Sequence, residues 1–327
     1  MYNFCTLFET NYLSRGLALY ESLEKQCESF HLYIFAFNDK SFEVLNKLAL
    51  KHATIISLLE FESQDLLAIK EDRSVGEYCW TCTSSTIKYC IEKFNLDCCT
   101  YLDADLYFFS SPKVLFDEIG NKSTLITEHR YTPEYDQTDL SGKYCVQFMI
   151  FKNNEEGLRV LNWWIDACLD WCYARAEDGK FGDQKYLDDW YTKFQGVHEL
   201  QHLGGGVAPW NVQQYIFSKI NGKEIGIEKK SNQKFDVVFY HFHNLKFIEK
   251  DKIELGEYTL TQEDIDILYK PYIQHIYQIK DRISKIDSSF DSNGTRATQK
   301  TLRSRAKLVK RKIEGNYNIY KKDYFLK

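Results

Sequence analysis

The first half of the chain alternates two hydrophobic periods, and that alternation limits the folds open to it. YNFCTLF (2–8) is a continuous apolar run, and LSRGLALYESLEK (13–25) then places Leu13, Leu17, Tyr20 and Leu23 or Glu24 at helical spacing. HLYIFAF (31–37) and SFEVLNKLALKH (41–52), with Ser41 as its N-cap, repeat the pair; TIISL and the helical TSSTIKYCIEKF (83–94) repeat it again. Strand and helix in this order predict an α/β fold, a mostly parallel sheet flanked by helices. TLIT (124–127), the polar loop HRYTPEYDQTDLSGK, YCVQFMIF (144–151), a long amphipathic helix over 154–174, FGDQKYLDDW (181–190), the glycine-rich turn HLGGGVAPWN and the strand DVVFYHFHN (236–244) extend a first domain to about residue 250. Residues 251–327 form a C-terminal helical extension. It opens on Thr261 three residues before Asp264, a capping signal, is interrupted at Pro271, passes a turn-rich linker at 287–295, and ends in QKTLRSRAKLVKRKIEG (299–315).

A chain of 327 residues can bury a substantial core, and 44% apolar with 27% charged residues is ordinary for a soluble protein. Tyr and Phe, at 23 and 22, are plentiful; most belong to a core, and the rest suit stacking on bases or sugars. No apolar run reaches the roughly 18 residues of a membrane span. MYNFCTLFET lacks the pattern of a secretory signal, so the ten cysteines are expected as free thiols in a reducing cytoplasm. Cys79 and Cys82 form a CxxC with no second CxxC at zinc-ribbon spacing, which favours buried small hydrophobes over a structural metal.

Charge is uneven. From Arg296 to Lys327 there are 11 Lys or Arg against 2 Asp or Glu, while the whole chain carries −5. Leu302, Ala306, Val309 and Ile313 fall on one face of that tail among seven basic residues. Such a helix suits an anionic membrane surface, or is simply solvated; the acidic body opposes nucleic acid as a partner.

CCTYLDADLYFF (98–109) puts Asp103 and Asp105 between two apolar segments, where unpaired charge is costly. In an open α/β sheet, ligands bind beyond the carboxyl ends of the strands, so an Asp-Ala-Asp turn there is placed for function. A divalent cation compensates such a pair: hard ions take one or two protein carboxylates and fill their remaining positions with water and phosphate oxygens.

At this point YLDADLYFF resembles the DxD segment of GT-A-type glycosyltransferases, which bind a nucleotide-diphosphate sugar through a divalent metal. Over roughly residues 1–250, CTLFETNYLSRGLALYESL, WTCTSSTIKY, ITEHRYTPEY, GKYCVQFMIFKN, FGDQKYLD, GGGVAPWN and YHFHN are similar, in order, to segments of bacterial members acting on surface polysaccharides. The resemblance implies that Asp103, Ala104 and Asp105 form the DxD that holds metal and diphosphate. His241 is similar to the late His that completes the metal shell of retaining family 8 enzymes, with His243 as a rival. An imidazole ligand favours Mn²⁺ over Mg²⁺. Asn244 stands where that motif has Gly, and Lys246, the implied phosphate contact, sits one residue closer.

Asp183 and Gln184 match the pair those enzymes place beside the transferred sugar. The resemblance assigns Thr6, Tyr12 and Arg15 to the nucleotide and phosphate, Asn38 and Asp39 to base or ribose, and Arg130 to the donor or an anionic acceptor. Cys145 and Gln147 stand where many relatives have Asn and Gly against the donor sugar. Trp210 and Asn211 fall on the acceptor side. The implied activity is metal-dependent transfer of a hexose, from a UDP-sugar by preference, to a glycan or lipid-linked acceptor, with retention of configuration. Its implied setting is the cytoplasm or the inner membrane face. A non-catalytic nucleotide-sugar or glycan-binding protein and a sugar-nucleotidyltransferase are the alternatives; the latter normally opens on a glycine-rich loop that FETNYLSRG (8–16) lacks.

Overall fold

The computed structural model describes residues 1–298 and 301–327, without the side chains of 302–305. Its strands are β1 (Tyr2–Phe8), β2 (Phe30–Ala36), β3 (Ala53–Ser57), β4 (Cys98–Leu102), β5 (Leu106–Phe108), β6 (Thr124–Glu128), β7 (Tyr144–Lys152), β8 (Val197–Glu199), β9 (Tyr215–Ile220), β10 (Lys223–Glu228), β11 (Lys234–Asp236), β12 (Phe239–His241), β13 (Lys246–Ile248), β14 (Lys252–Glu254) and β15 (Ile319–Lys321). The central sheet has the order β3-β2-β1-β4-β7-β6-β8. β1 to β4 are parallel, β6 and β8 are parallel, and only β7 runs against its neighbours. The predicted α/β architecture with a mostly parallel, helix-covered sheet is therefore observed. Buried on both faces, β1 and β7 carry near-continuous apolar sequence, as such strands must.

Local boundaries differ where capping chemistry overrides apolar spacing. The helix predicted from residue 83 begins at Val75, because Ser74 and Glu77 close a capping box around its first turn. Such a cap contributes about 1 kcal/mol. The second helix runs Asp39–Leu48 and is capped by Asn38, whose Oδ1 accepts from the Ser41 amide; Ser41 is inside the helix. The helix expected over 154–174 ends at Asp170. The strand expected over 236–244 is broken: Asp236 ends β11, and β12 pairs with β5 for three residues only. Asn244, at φ 60°, then turns the chain.

The C-terminal residues pack into the same apolar core as the first strands, with Phe325, Ile273, Ile276 and Phe4 all fully buried in one cluster. Residue 250 lies within the β13–β14 hairpin, and β15 adds its third strand. The capping box of Thr261 and Asp264 is present. A π-helical turn at Ile265–Tyr269 immediately precedes Pro271, and the helix continues through it to Ile286. The segment predicted as a linker is docked: the Ser14 hydroxyl donates to Ser292 O at 2.9 Å and to Asn293 Oδ1 at 2.6 Å.

Helix Leu302–Ile313 is present. Arg311 is buried and paired with Glu254, and its guanidinium donates to Gly256 O at 2.8 Å, while Val309 and Ile313 face outward at 59% and 82% exposure. Residues 299 and 300 and the side chain of Leu302, part of the predicted amphipathic face, lie outside the described residues. No described helix is long and apolar enough to cross a membrane. All ten cysteines are free thiols, eight of them buried.

Candidate functional site

β4 delivers Asp103 to the carboxyl end of the sheet, and the chain turns there. The Leu106 amide donates back to Asp103 O at 3.2 Å, and the Asp103 amide donates to Gln147 O at 3.0 Å. Ala104, buried at the turn, lets Asp103 and Asp105 project toward one place. β12 meets this turn from the other side: His241 pairs with Leu106, and the Phe242 amide donates to Asp105 O at 3.0 Å. His241 Nε2 thereby lies 3.1 Å from Asp105 Oδ1 and 3.7 Å from Asp103 Oδ2. The side chains of Asp105 and His241 are 13% and 7% exposed, while Asp103 keeps 28% toward solvent. His241, rather than His243, stands against the two carboxylates.

Electrostatics mark the place as incomplete. Burial and the neighbouring Asp105 charge push Asp103 up to about 6 against the attraction of His241. Burial works the same way on Asp105, but the charge and hydrogen bond of His241 outweigh it and hold Asp105 down at about 2. His241 itself is raised well above the imidazole range, Asp105 overcoming the cost of burial. Asp183, 5% exposed beyond the left-handed Gly182 (φ 53°), is pushed up to about 8 by burial and by the charge of Asp103. Asp103 and Asp105 thus share His241 as counter-charge while Asp183 is crowded by Asp103, the like-charge crowding typical of sites that take a ligand.

Asp103 and His241 could hold a divalent cation: the imidazole Nδ1 is 2.9 Å from Gln147 Oε1, leaving Nε2 toward the carboxylates. Cys145 joins the same cluster, its Sγ lying within 4.8 Å of the ligand atoms of Asp103 and His241. A second trio, Cys5, Cys90 and Cys99, converges as closely but is all thiol and fully buried in the core.

The remaining predicted residues divide into two groups. Some present free or only partly used polar groups: Thr6, whose buried Oγ1 has no partner; Tyr12, 37% exposed; Asp39, exposed at the start of its helix; and half-buried Lys246. Others are engaged by the fold. Arg15 is buried, donates to Asn11 O, Asn293 O and Leu245 O, and lies 4.5 Å over the Tyr12 ring. Asn38 caps its helix and also donates to Thr10 Oγ1. The Arg130 guanidinium serves the carbonyls of Leu200, His202 and Gly205. Gln184 Nε2 donates to Ser141 O at 2.7 Å. Trp210 is buried with its indole N–H on His129 O, and Asn211 is fully enclosed by His129 O, Gly206 O and the Ala208 amide. His243, pushed down to about 4 by burial and by His241, has Nε2 2.9 Å from Asn244 Nδ2.

Two features escaped the sequence reading. A file of rings leads away from the carboxylates: His241 to Trp210 (5.3 Å), Trp210 to His129 (5.2 Å) and His129 stacked on Tyr131 (4.5 Å). It ends at a polar cleft of about 330 Å³ whose walls include Glu128, Tyr131, Thr138, Lys143 and Tyr215. Trp80, 36% exposed, also stands over Gly182, next to Asp183. Partly exposed aromatics within the WTCTSSTIKY and ITEHRYTPEY segments were the available signal.

No family model matches the chain. Two proteins of Bacillus subtilis (strain 168), the uncharacterized proteins YfnD and YfnF, are each 28% identical to it, over 295 and 296 residues. Each alignment covers 88% of this chain, and 92% and 96% of theirs. Among solved structures, the apo bifunctional glycosyltransferase WbbM superposes with a TM-score of 0.51 at 12% identity, covering 88% of this chain and 52% of that one. The fold is thus of glycosyltransferase type.

Proposed function

We propose that this chain is a metal-dependent glycosyltransferase that moves a hexose from a UDP-sugar to a glycan or lipid-linked saccharide. One observation carries the reading: at the carboxyl end of a glycosyltransferase-type sheet, His241 Nε2 lies 3.1 Å from Asp105 and 3.7 Å from Asp103. Asp103, Asp105 and His241 would hold Mn²⁺, or Mg²⁺ in second place, and the ion would supply Lewis-acid stabilisation of the departing diphosphate.

In this reading Thr6, Tyr12, Asn38 and Asp39 contact the nucleoside and Lys246 the phosphates, while Arg15, its donors bound to backbone carbonyls rather than free for phosphate, acts by holding the Tyr12 ring it lies over. Asp183 and Gln184 flank the sugar, Asp183 bonding its hydroxyls and Gln184 lying by the anomeric carbon. Arg130 and Gln147 support the donor side through the backbone and His241, as their present bonds suggest. Trp210 and Asn211 shape the acceptor side, where the 330 Å³ cleft has the polar and aromatic walls a saccharide needs. Retention of configuration follows from the same resemblance, and anomeric NMR of the product tests it.

We place the enzyme in the cytoplasm, at the inner face of the membrane. The outward Val309 and Ile313, flanked by Lys310 and Lys312, support contact with anionic lipid. Flotation with anionic liposomes, lost in the Val309→Asp, Ile313→Asp double variant of these two exposed side chains, is the expected result; no change sinks the membrane contact.

The functional test is a panel of nucleotide sugars with Mn²⁺, scored by hydrolysis and by protection against thermal unfolding. Protection and turnover by a UDP-hexose are expected. Protection without turnover on any acceptor or water would make the chain a binding protein, and no response to any nucleotide sugar would overturn the reading.

A further inference from the structure

We propose that the site has a second metal-binding mode: a thiophilic divalent ion of the zinc class binds through Cys145 Sγ, His241 Nε2 and a carboxylate oxygen of Asp103. The inference rests on the cation site proposed above and is independent of glycosyl transfer.

The placement is a consequence of β7. Side chains alternate along a strand, so Cys145 and Gln147 share a face, and that face looks onto His241. Gln147, fully buried, has Oε1 2.9 Å from His241 Nδ1, so an Nδ1–H donating to it leaves Nε2 as the ring atom available to a metal. Nε2 already faces the carboxylates, and Cys145, 5% exposed, closes the third side, with the ligand atoms of Asp103, Cys145 and His241 all within 4.8 Å of one another. Asp105 stands outside this set. The two modes therefore share Asp103 and His241 and differ in the third donor, which is the Asp105 oxygen for a hard ion and the Cys145 sulfur for a soft one.

One sulfur, one imidazole and one carboxylate around an open fourth position form a donor set that suits Zn²⁺, whereas Mn²⁺ and Mg²⁺ prefer oxygen and gain little from a thiol. On binding, the Cys145 S–H bond breaks and the proton that His241 Nε2 holds toward Asp105 is also released; both protons leave to solvent, and sulfur–metal and nitrogen–metal bonds form without any change of oxidation state. The ion would occupy the place a diphosphate-bound Mn²⁺ needs, so zinc should compete with manganese for the protein.

The test uses the full chain with a non-coordinating reductant and Co²⁺ as a coloured substitute for Zn²⁺. Wild type should show a thiolate-to-cobalt charge-transfer band. Cys145→Ser should lose the band, bind Zn²⁺ at least about tenfold more weakly and retain its Mn²⁺ affinity, since a lost metal ligand should cost no less than a lost supporting contact. Cobalt bound without the band, no cobalt bound, or a band unchanged in Cys145→Ser, which would assign it to the Cys5, Cys90 and Cys99 trio, each overturns the proposal. X-ray absorption of the zinc-loaded wild type needs no variant: a sulfur scatterer at about 2.3 Å is expected, and its absence overturns the proposal. If the band is present but Mn²⁺ does not bind, the zinc mode stands and the manganese site fails.

Discussion

Charge is buried in two kinds of place in this molecule, and they are finished differently. Where the C-terminal extension meets the body, Arg15 spends its donors on the carbonyls of Asn11, Leu245 and Asn293, and Arg311 spends its own on Glu254, Gly256 O and Asn316 O. Each guanidinium is 4% exposed and surrounded by acceptors from its own chain. At the carboxyl end of the sheet, two carboxyls share one imidazole and a third crowds them, and two of the three are held above their ordinary range. Burial of charge therefore does not by itself mark function; burial that the chain leaves uncompensated does.

The contrast is most easily broken at the clasp. Arg15→Ala should cost about 3 kcal/mol, because it strands three carbonyls in the interior. Urea unfolding measures this, and a loss below about 0.5 kcal/mol, the level of an ordinary surface change, would remove the clasp from the account.

The opposite sign is expected at the site. Asp183→Asn removes one of the crowded carboxyls and should stabilise the cation-free protein by about 1–2 kcal/mol at pH 8 while abolishing transfer. A destabilised Asn variant would mean that Asp183 is a structural group like Arg15.

The same crowding sets a pH dependence. Asp103 and Asp183 have folded values raised to about 6 and about 8, so between the ordinary carboxylate range and pH 8 the unfolded chain ionises first and holds fewer protons. Stability of the cation-free protein must then fall as pH rises through that window. His241, raised in the folded state, adds to the fall, since its pairing is lost as pH climbs through its folded value. Melting temperatures in EDTA should drop from pH 5 to pH 8, and Mn²⁺ should restore more at the higher pH.

Much of this was legible from residue patterns, and the failures have physical reasons. The alternation of apolar and helical periods predicted the parallel sheet because β1, β2 and β4 are largely buried and carry mainly apolar residues. The Asp-Ala-Asp turn was visible because carboxylates interrupt that rule. β9, β10 and β11 were not predicted: their half-exposed strands include Lys219, Lys223, Glu224 and Lys234 and lack a long apolar run. The docking of Ser292 and Asn293 was hidden as well, since turn residues read alike whether solvated or buried. Resemblance alone puts Asn211 and Trp210 on the acceptor side; the hydrogen bonds that lock them to His129 O link segments 81 or more residues apart in sequence.

The smallest effect is expected on the outer face of helix Leu302–Ile313. Ile313→Ser should change folding stability by no more than about 0.5 kcal/mol, because the side chain is already in solvent. A larger loss would mean that the face packs against the protein rather than facing outward.

The central claim is that Asp103, Asp105 and His241 are left to be completed by a cation and a nucleotide diphosphate. Calorimetric titration of UDP into the protein, with and without Mn²⁺, tests it most directly. Binding that requires Mn²⁺ in the wild type and is absent from Asp105→Ala is the predicted result. UDP binding of equal strength without Mn²⁺, or undiminished in the Asp103→Ala, Asp105→Ala double variant, would contradict it.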